Sequence, residues 1–171
     1  MAAKPKVACL LADGFEDSEF RVPYDQLTLA GIQVEVVGFE KGRHLEGKAR
    51  ETALTDLAIA EAKPGDYAAV LIPGGHSPDK LRADARFVKF IQDFDKLNRP
   101  IAAVCHGPQL LLTAGLVRGR TMTAWRTVQG DLAAAGAVVR DEPLVVDRNF
   151  ITSRKPEDLD RFTEALIKSL R

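Results

Sequence analysis

The segment Ile101 to Leu112, IAAVCHGPQLLL, constrains this chain more than any other. Ile101, Ala102, Ala103 and Val104 are apolar at every position, as in a strand buried on both faces of a parallel sheet. The run stops at Cys105. Gly107 then supplies the freedom a sharp turn needs, and Pro108 has its φ preset for the first turn of a helix reaching Ala114. A strand, a one-residue turn and a helix form the nucleophile elbow. Its close strand–helix approach requires small residues two before and two after the nucleophile, here Ala103 and Gly107. A thiol at such a turn points off the carboxyl edge of the sheet, where the first N–H groups of the helix favour its thiolate. Cys105 is therefore expected to be an activated sulfur.

The remaining elements follow in order. Lys6 to Ala12 reads as a strand and is followed by a polar loop, Asp13 to Asp17, and an amphipathic stretch ending at Gly31. Pro23 inside that stretch predicts a late start or a kink. Val34 to Phe39 is a second strand, which makes a βαβ unit. Residues 40 to 55 read as a hairpin or a pair of short edge strands, with His44 solvated there. Ala68 to Ile72 is a third buried strand, cut off by Pro73-Gly74-Gly75-His76. Asp84 caps a helix whose stripe is Phe87, Phe90, Ile91, Phe94 and Leu97. After Gly115 come a strand at Thr121 to Ala124, Trp125, and a helix from about Thr127 to Ala135. Short strands at 138–139, 144–146 and 150–153 precede a last helix bearing Leu159, Phe162, Leu166, Ile167 and Leu170. This alternation predicts one three-layer α/β domain over 1–171 with a mostly parallel sheet.

In such a sheet ligands bind at the carboxyl ends of the strands, so the loops carrying Glu16, Gly74-Gly75 and Cys105 meet at one edge. A thiolate there needs oxyanion donors, a proton carrier and a partner for its charge. The N–H groups of Gly75 and His106 are the expected oxyanion hole. Glu16 is a candidate to hydrogen-bond Cys105, and a Glu in that role has a raised pKa, because a carboxyl beside a thiolate must keep its proton or suffer repulsion. His106 acts as base if the turn directs its ring at the sulfur. His76 either lines the pocket beside Gly74 or faces solvent, and Trp125 either walls the pocket or belongs to the core. Cys9, in mid-strand, reads as a small core residue.

Charge and composition exclude several classes. With 24 basic and 24 acidic residues there is no footprint for nucleic acid or an anionic membrane. No apolar run reaches bilayer-spanning length and MAAKPKV lacks a signal-peptide core, so a cytoplasmic protein is expected. No Cys and His cluster has zinc-site spacing, and no cofactor is expected. Three acidic residues after the first strand, Asp13, Glu16 and Asp17, argue against a phosphate-binding loop.

The chain resembles the ThiJ/PfpI family along essentially its whole length. The resemblance rests on ADGFEDSEF, AVLIPGG, AVCHGPQLL around Cys105, and ITSRKPEDL. It implies a flavodoxin-like sandwich of the class I glutamine amidotransferase superfold, with Cys105 as nucleophile, Glu16 as its protonated partner and His106 as general base. In PfpI-type peptidases a carboxylate from the next subunit orients the histidine; the matching place is Asp79, one methylene shorter than the glutamate of that pattern, and a helix N-cap is its other reading. The resemblance also implies a homo-oligomer, a dimer or a hexamer-of-dimers type. Glutamine amidotransfer itself is excluded, because Lys155-Pro156-Glu157 has a lysine where that class needs histidine.

Three functions follow. The first is a stress-response cysteine hydrolase of deglycase or glyoxalase type, acting on glyoxal or methylglyoxal adducts. The second is an intracellular cysteine peptidase acting on peptides. The third is a non-catalytic redox-sensing or chaperone-like protein.

Overall fold

A computed structural model describes residues 4–171. The strands are β1 (Lys6–Leu10), β2 (Gln33–Gly38), β3 (His44–Glu46), β4 (Thr52–Leu54), β5 (Leu57–Ala58), β6 (Ala69–Ile72), β7 (Ile101–Val104), β8 (Thr121–Met122), β9 (Val138–Val139), β10 (Val145–Asp147) and β11 (Phe150–Ser153). The helices are α1 (Asp17–Leu29), α2 (Ser77–Arg82), α3 (Ala85–Asp95), α4 (Pro108–Thr113), α5 (Arg126–Ala134) and α6 (Leu159–Ser169).

Seven strands form one sheet in the order β10-β11-β7-β6-β1-β2-β5, parallel throughout except for β10. Alternation of side chains divides the core. Ala8, Leu10, Val70, Ile72, Ile101 and Ala103 face the layer of α2, α3, α4 and α5. Val7, Cys9, Leu71, Ala102, Val104 and Ile151 face α1 and α6. Because both faces are covered, β6 and β7 are buried at every position. On α3 the aromatic stripe buries Phe87, Phe90 and Phe94, each removal from water stabilising the fold by about 1.5–3 kcal/mol. The Asp84 cap is present, its carboxylate accepting from the Arg86 N–H.

The fold is the three-layer α/β sandwich expected, with local differences. The first helix begins early and runs through Pro23, whose ring is buried and whose missing N–H costs one bond to the Glu19 carbonyl. The strand expected at 121–124 shrinks to β8, which pairs in parallel with β9 outside the main sheet. Leu97 lies beyond the end of α3 and is exposed. Residues 44–54 form the antiparallel β3–β4 hairpin. No helix among the described residues is long and apolar enough to cross a membrane.

Candidate active site around Cys105

The three neighbouring strands β7, β6 and β1 end side by side, and the loops after them make the site. Cys105 terminates β7 with φ +61°, a left-handed conformation that costs a non-glycine residue about 1–2 kcal/mol. The surroundings hold it there: its N–H donates to Ser153 O (3.0 Å) and its carbonyl accepts from Trp125 N–H (2.9 Å). Gly107 permits the turn, since a Cβ there would lie 2.4 Å from the Ile72 carbonyl oxygen. The sulfur-bearing residue is 8% exposed.

The carboxyl beside it is Glu19, and this corrects the assignment of Glu16. Glu19 is in the first turn of α1, fully buried, and its Oε1 accepts from the Gly74 N–H (2.9 Å). A Cβ built on Gly74 would sit 2.4 Å from that oxygen and 2.9 Å from Cys105 Cβ, so only glycine lets the two side chains meet. Glu19 Oε2 is buried without a conventional hydrogen-bond partner. Burial, above all, pushes the Glu19 carboxyl up to about 8, with the neighbouring Glu16 charge adding to the rise. Glu16 instead occupies the N-cap position of α1, outside the helix, where its carboxylate faces Lys48 Nζ at 3.6 Å. Glu16 precedes the first helical turn with an extended backbone and turns toward Lys48, whereas Glu19 lies inside that turn on the stripe that α1 buries with Phe20 and Pro23.

Burial also pushes the Cys105 thiol up, with the Glu19 carboxylate as the next cause, while the His106 N–H on the sulfur pulls it down. The expected activation by the following helix is thus outweighed, and α4 spans only six residues. Glu19 and Cys105 act on one another, so a proton kept on Glu19 removes the repulsion that opposes a thiolate. His106 Nδ1 lies 3.5 Å from Cys105 Sγ, which directs the ring at the sulfur. Burial and then Lys48 hold the imidazole below its ordinary range, in the neutral form. The Trp125 ring is half-buried, 6.3 Å from the His106 ring and tilted 29° to it, and so walls the imidazole while also packing on the core.

Gly75 has φ +77° and crosses the loop at Phe15 as an isolated antiparallel bridge, with the His76 N–H bonded to Gly14 O and the Glu16 N–H to Gly74 O. The Gly75 N–H itself donates to no protein acceptor among the described residues. His76 is exposed, at the N-cap of α2, and its charge acts on His106 from the rim. Asp79 does not cap that helix. It sits inside α2 and binds the Arg82 guanidinium at 2.8 Å, 67% exposed. No group of three or more His, Cys, Asp or Glu side chains converges to hold a metal among the described residues.

Residues 5–169 match the sequence profile of the DJ-1/PfpI family. The chain belongs to the DJ-1/PfpI family. Uncharacterized proteins of Staphylococcus haemolyticus and Staphylococcus aureus are 45% and 47% identical to it over 168 residues, each alignment covering 97% of this chain and 98% of the relative. A two-domain Anabaena variabilis protein with DJ-1/ThiJ/PfpI-like and ferritin-like domains superimposes with a TM-score of 0.96 at 42% identity; 98% of this chain matches, spanning 48% of that one. Schizosaccharomyces pombe DJ-1 gives a TM-score of 0.87 at 26% identity, covering 97% of this chain and 92% of that one. The sheet and the helices on its two faces are those of the DJ-1/PfpI fold.

Proposed function

We propose that this protein is a cysteine-dependent hydrolase of deglycase or glyoxalase type, acting on glyoxal or methylglyoxal adducts in stress response. The observation that carries the reading is Cys105 at φ +61° with a buried carboxyl, Glu19, beside it and a neutral imidazole on its sulfur. In this reading Glu19 keeps its proton near neutral pH and donates it toward the sulfur through Oε2, the oxygen otherwise without a partner. The thiolate adds to the carbonyl carbon of the adduct. The carbonyl oxygen becomes an alkoxide held by the His106 and Gly75 N–H groups. The neutral His106 imidazole takes the proton of the Cys105 thiol as the sulfur adds and returns it to the amine or thiol whose bond to the adduct carbon breaks, and one water completes release of the dicarbonyl unit as a hydroxy acid.

Peptide hydrolysis is less well supported. The pair of a histidine and a cysteine needs a third group to orient the imidazole, and no carboxylate contacts His106 among the described residues. Asp79 of a second copy would first have to leave Arg82. The reading is tested by turnover of methylglyoxal-treated N-acetylcysteine and of an unstructured protein, wild type beside Cys105→Ala, in a buffer free of amines. Adduct turnover lost in the variant supports the proposal; adduct turnover retained in the variant, or proteolysis alone, rejects it.

A further inference from the structure

The β3–β4 hairpin is clamped to the loop that leads into the site, although nothing in the chemistry above uses it. The Gly14 N–H donates to Glu46 O (2.8 Å), the Glu46 N–H to Asp13 Oδ1 (2.9 Å) and the Lys48 N–H to Phe15 O (2.9 Å). The Asp17 carboxylate accepts from the N–H groups of Ala49 (2.9 Å) and Glu51 (2.7 Å). The approach is close enough that a Cβ on Gly47 would meet Asp17 Oδ1 at 2.4 Å. Five hydrogen bonds from main-chain N–H groups, two to carbonyls and three to the Asp13 and Asp17 carboxylates, thus fix the turn of the hairpin on residues 13–17, just before Glu19.

The turn carries one cation to this place. Lys48 Nζ stands 3.6 Å from Glu16 Oε2, and the two side chains are 45% and 31% exposed, so both open to solvent. The Lys48 charge is felt at Glu19 and at His106, the two groups that flank Cys105. An ion pair this exposed is weak, and its lysine readily exchanges one carboxylate for another. The backbone clamp, by contrast, keeps the lysine stem in position when the partner changes.

We infer that Lys48 is a specificity-determining residue that selects substrates carrying a carboxylate within a side chain's reach of the carbon that Cys105 attacks, the carboxylate taking the place of Glu16. This rests on the reading of Cys105 as the nucleophile and names a substrate class for it: carbonyl adducts of acids rather than of their neutral amides. Lys48 binds the charge, and the sulfur and its proton partners do the chemistry.

Alkylation of Cys105 by iodoacetate and by iodoacetamide, followed by mass spectrometry, separates recognition from reactivity, because the two reagents lose the same iodide to the same sulfur and differ in charge. Lys48→Met is expected to lower the iodoacetate to iodoacetamide rate ratio by about 3- to 10-fold, a ratio in which any change to the reactivity of the sulfur itself cancels. Lys48→Arg should restore the ratio, and Glu16→Gln should raise it above wild type. A ratio that Lys48→Met leaves unchanged, or equal slowing with both reagents, overturns the inference. The second arm compares kcat/KM for the methylglyoxal hemithioacetals of N-acetylcysteine and of N-acetylcysteine amide, with Lys48→Met expected to raise KM for the acid alone. If neither compound turns over while the alkylation ratio responds, the deglycase reading fails and recognition by Lys48 stands. If both turn over and neither ratio responds, recognition by Lys48 fails and the deglycase reading stands.

Discussion

Cys9 and Cys105 lie on strands of the same sheet with β6 between them, both buried, both with thiols pushed up by the loss of water. Cys9 is in the middle of β1, its backbone in register with Val36 on one side and Leu71 on the other, and its side chain is among apolar residues. Cys105 is where β7 stops, with a left-handed backbone, a buried carboxyl, an imidazole 3.5 Å away and an N–H on its sulfur. Burial alone makes a cysteine inert. A reactive one needs burial together with polar groups that can take up its proton or its charge, and in this fold the carboxyl end of a strand is where the backbone leaves room for them.

The largest test of this contrast is to remove each sulfur in turn. Cys105→Ala is expected to lower adduct turnover at least about a thousandfold with little change in unfolding midpoint, whereas Cys9→Ala should keep turnover within about twofold and lose about 1–2 kcal/mol of stability in denaturant unfolding. Loss of turnover in both variants would erase the distinction. Next in size is Gly74→Ala. The added Cβ has Glu19 Oε1 at 2.4 Å and Cys105 Cβ at 2.9 Å, so the variant should lose about 1–3 kcal/mol and slow Cys105 alkylation about tenfold. A fully stable variant with unaltered alkylation would show that the two side chains do not need that space.

Glu19 supplies a prediction with a definite sign. Its carboxyl is raised from 4.5 to about 8, so the folded state binds the proton more tightly than the unfolded chain. Its contribution to stability is therefore full below about pH 4.5 and is lost as pH rises toward 8. Glu19→Gln should be near neutral at pH 4.5 and stabilising at pH 8.5, on the order of a few kcal/mol, while slowing alkylation of Cys105 at neutral pH. Parallel stability curves for the two proteins would contradict a raised Glu19. The smallest effect is expected from Asp79→Asn, which removes an exposed pair with Arg82: stability within about 0.5 kcal/mol and adduct turnover within about twofold. A collapse of activity there would point instead to a neighbouring copy's histidine.

How far these features were legible in the chain differs between backbone and side chains. The apolar runs at Ala69 to Ile72 and Ile101 to Val104 announce buried parallel strands, and Cys105-His106-Gly107-Pro108 announces the turn. Edge elements were less legible, because β8 has only two residues and pairs outside the main sheet. The partner of Cys105 lies three positions beyond the acid the sequence points to, for a specific reason. Glu16 and Glu19 both follow the first strand, and which one points inward depends on where α1 begins. A signal was present: Glu19, Pro23 and Leu27 recur at four-residue spacing on the stripe that α1 buries, and a lone carboxyl on such a stripe marks an acid held for its proton. Lys48 left no comparable mark, since its nearness to the site depends on how the hairpin docks on residues 13–17.

The most direct test is to label both cysteines in one molecule. Folded protein at neutral pH is treated with iodoacetamide, and the rates at Cys105 and Cys9 are read by peptide mass spectrometry beside those of the chain unfolded in denaturant. With a proton held on Glu19 and an imidazole on its sulfur, Cys105 should react in the folded protein at a measurable fraction of its unfolded rate, whereas Cys9 should react only after unfolding. A folded protein in which Cys105 is as unreactive as Cys9 would contradict the account, because burial would then govern both sulfurs alike.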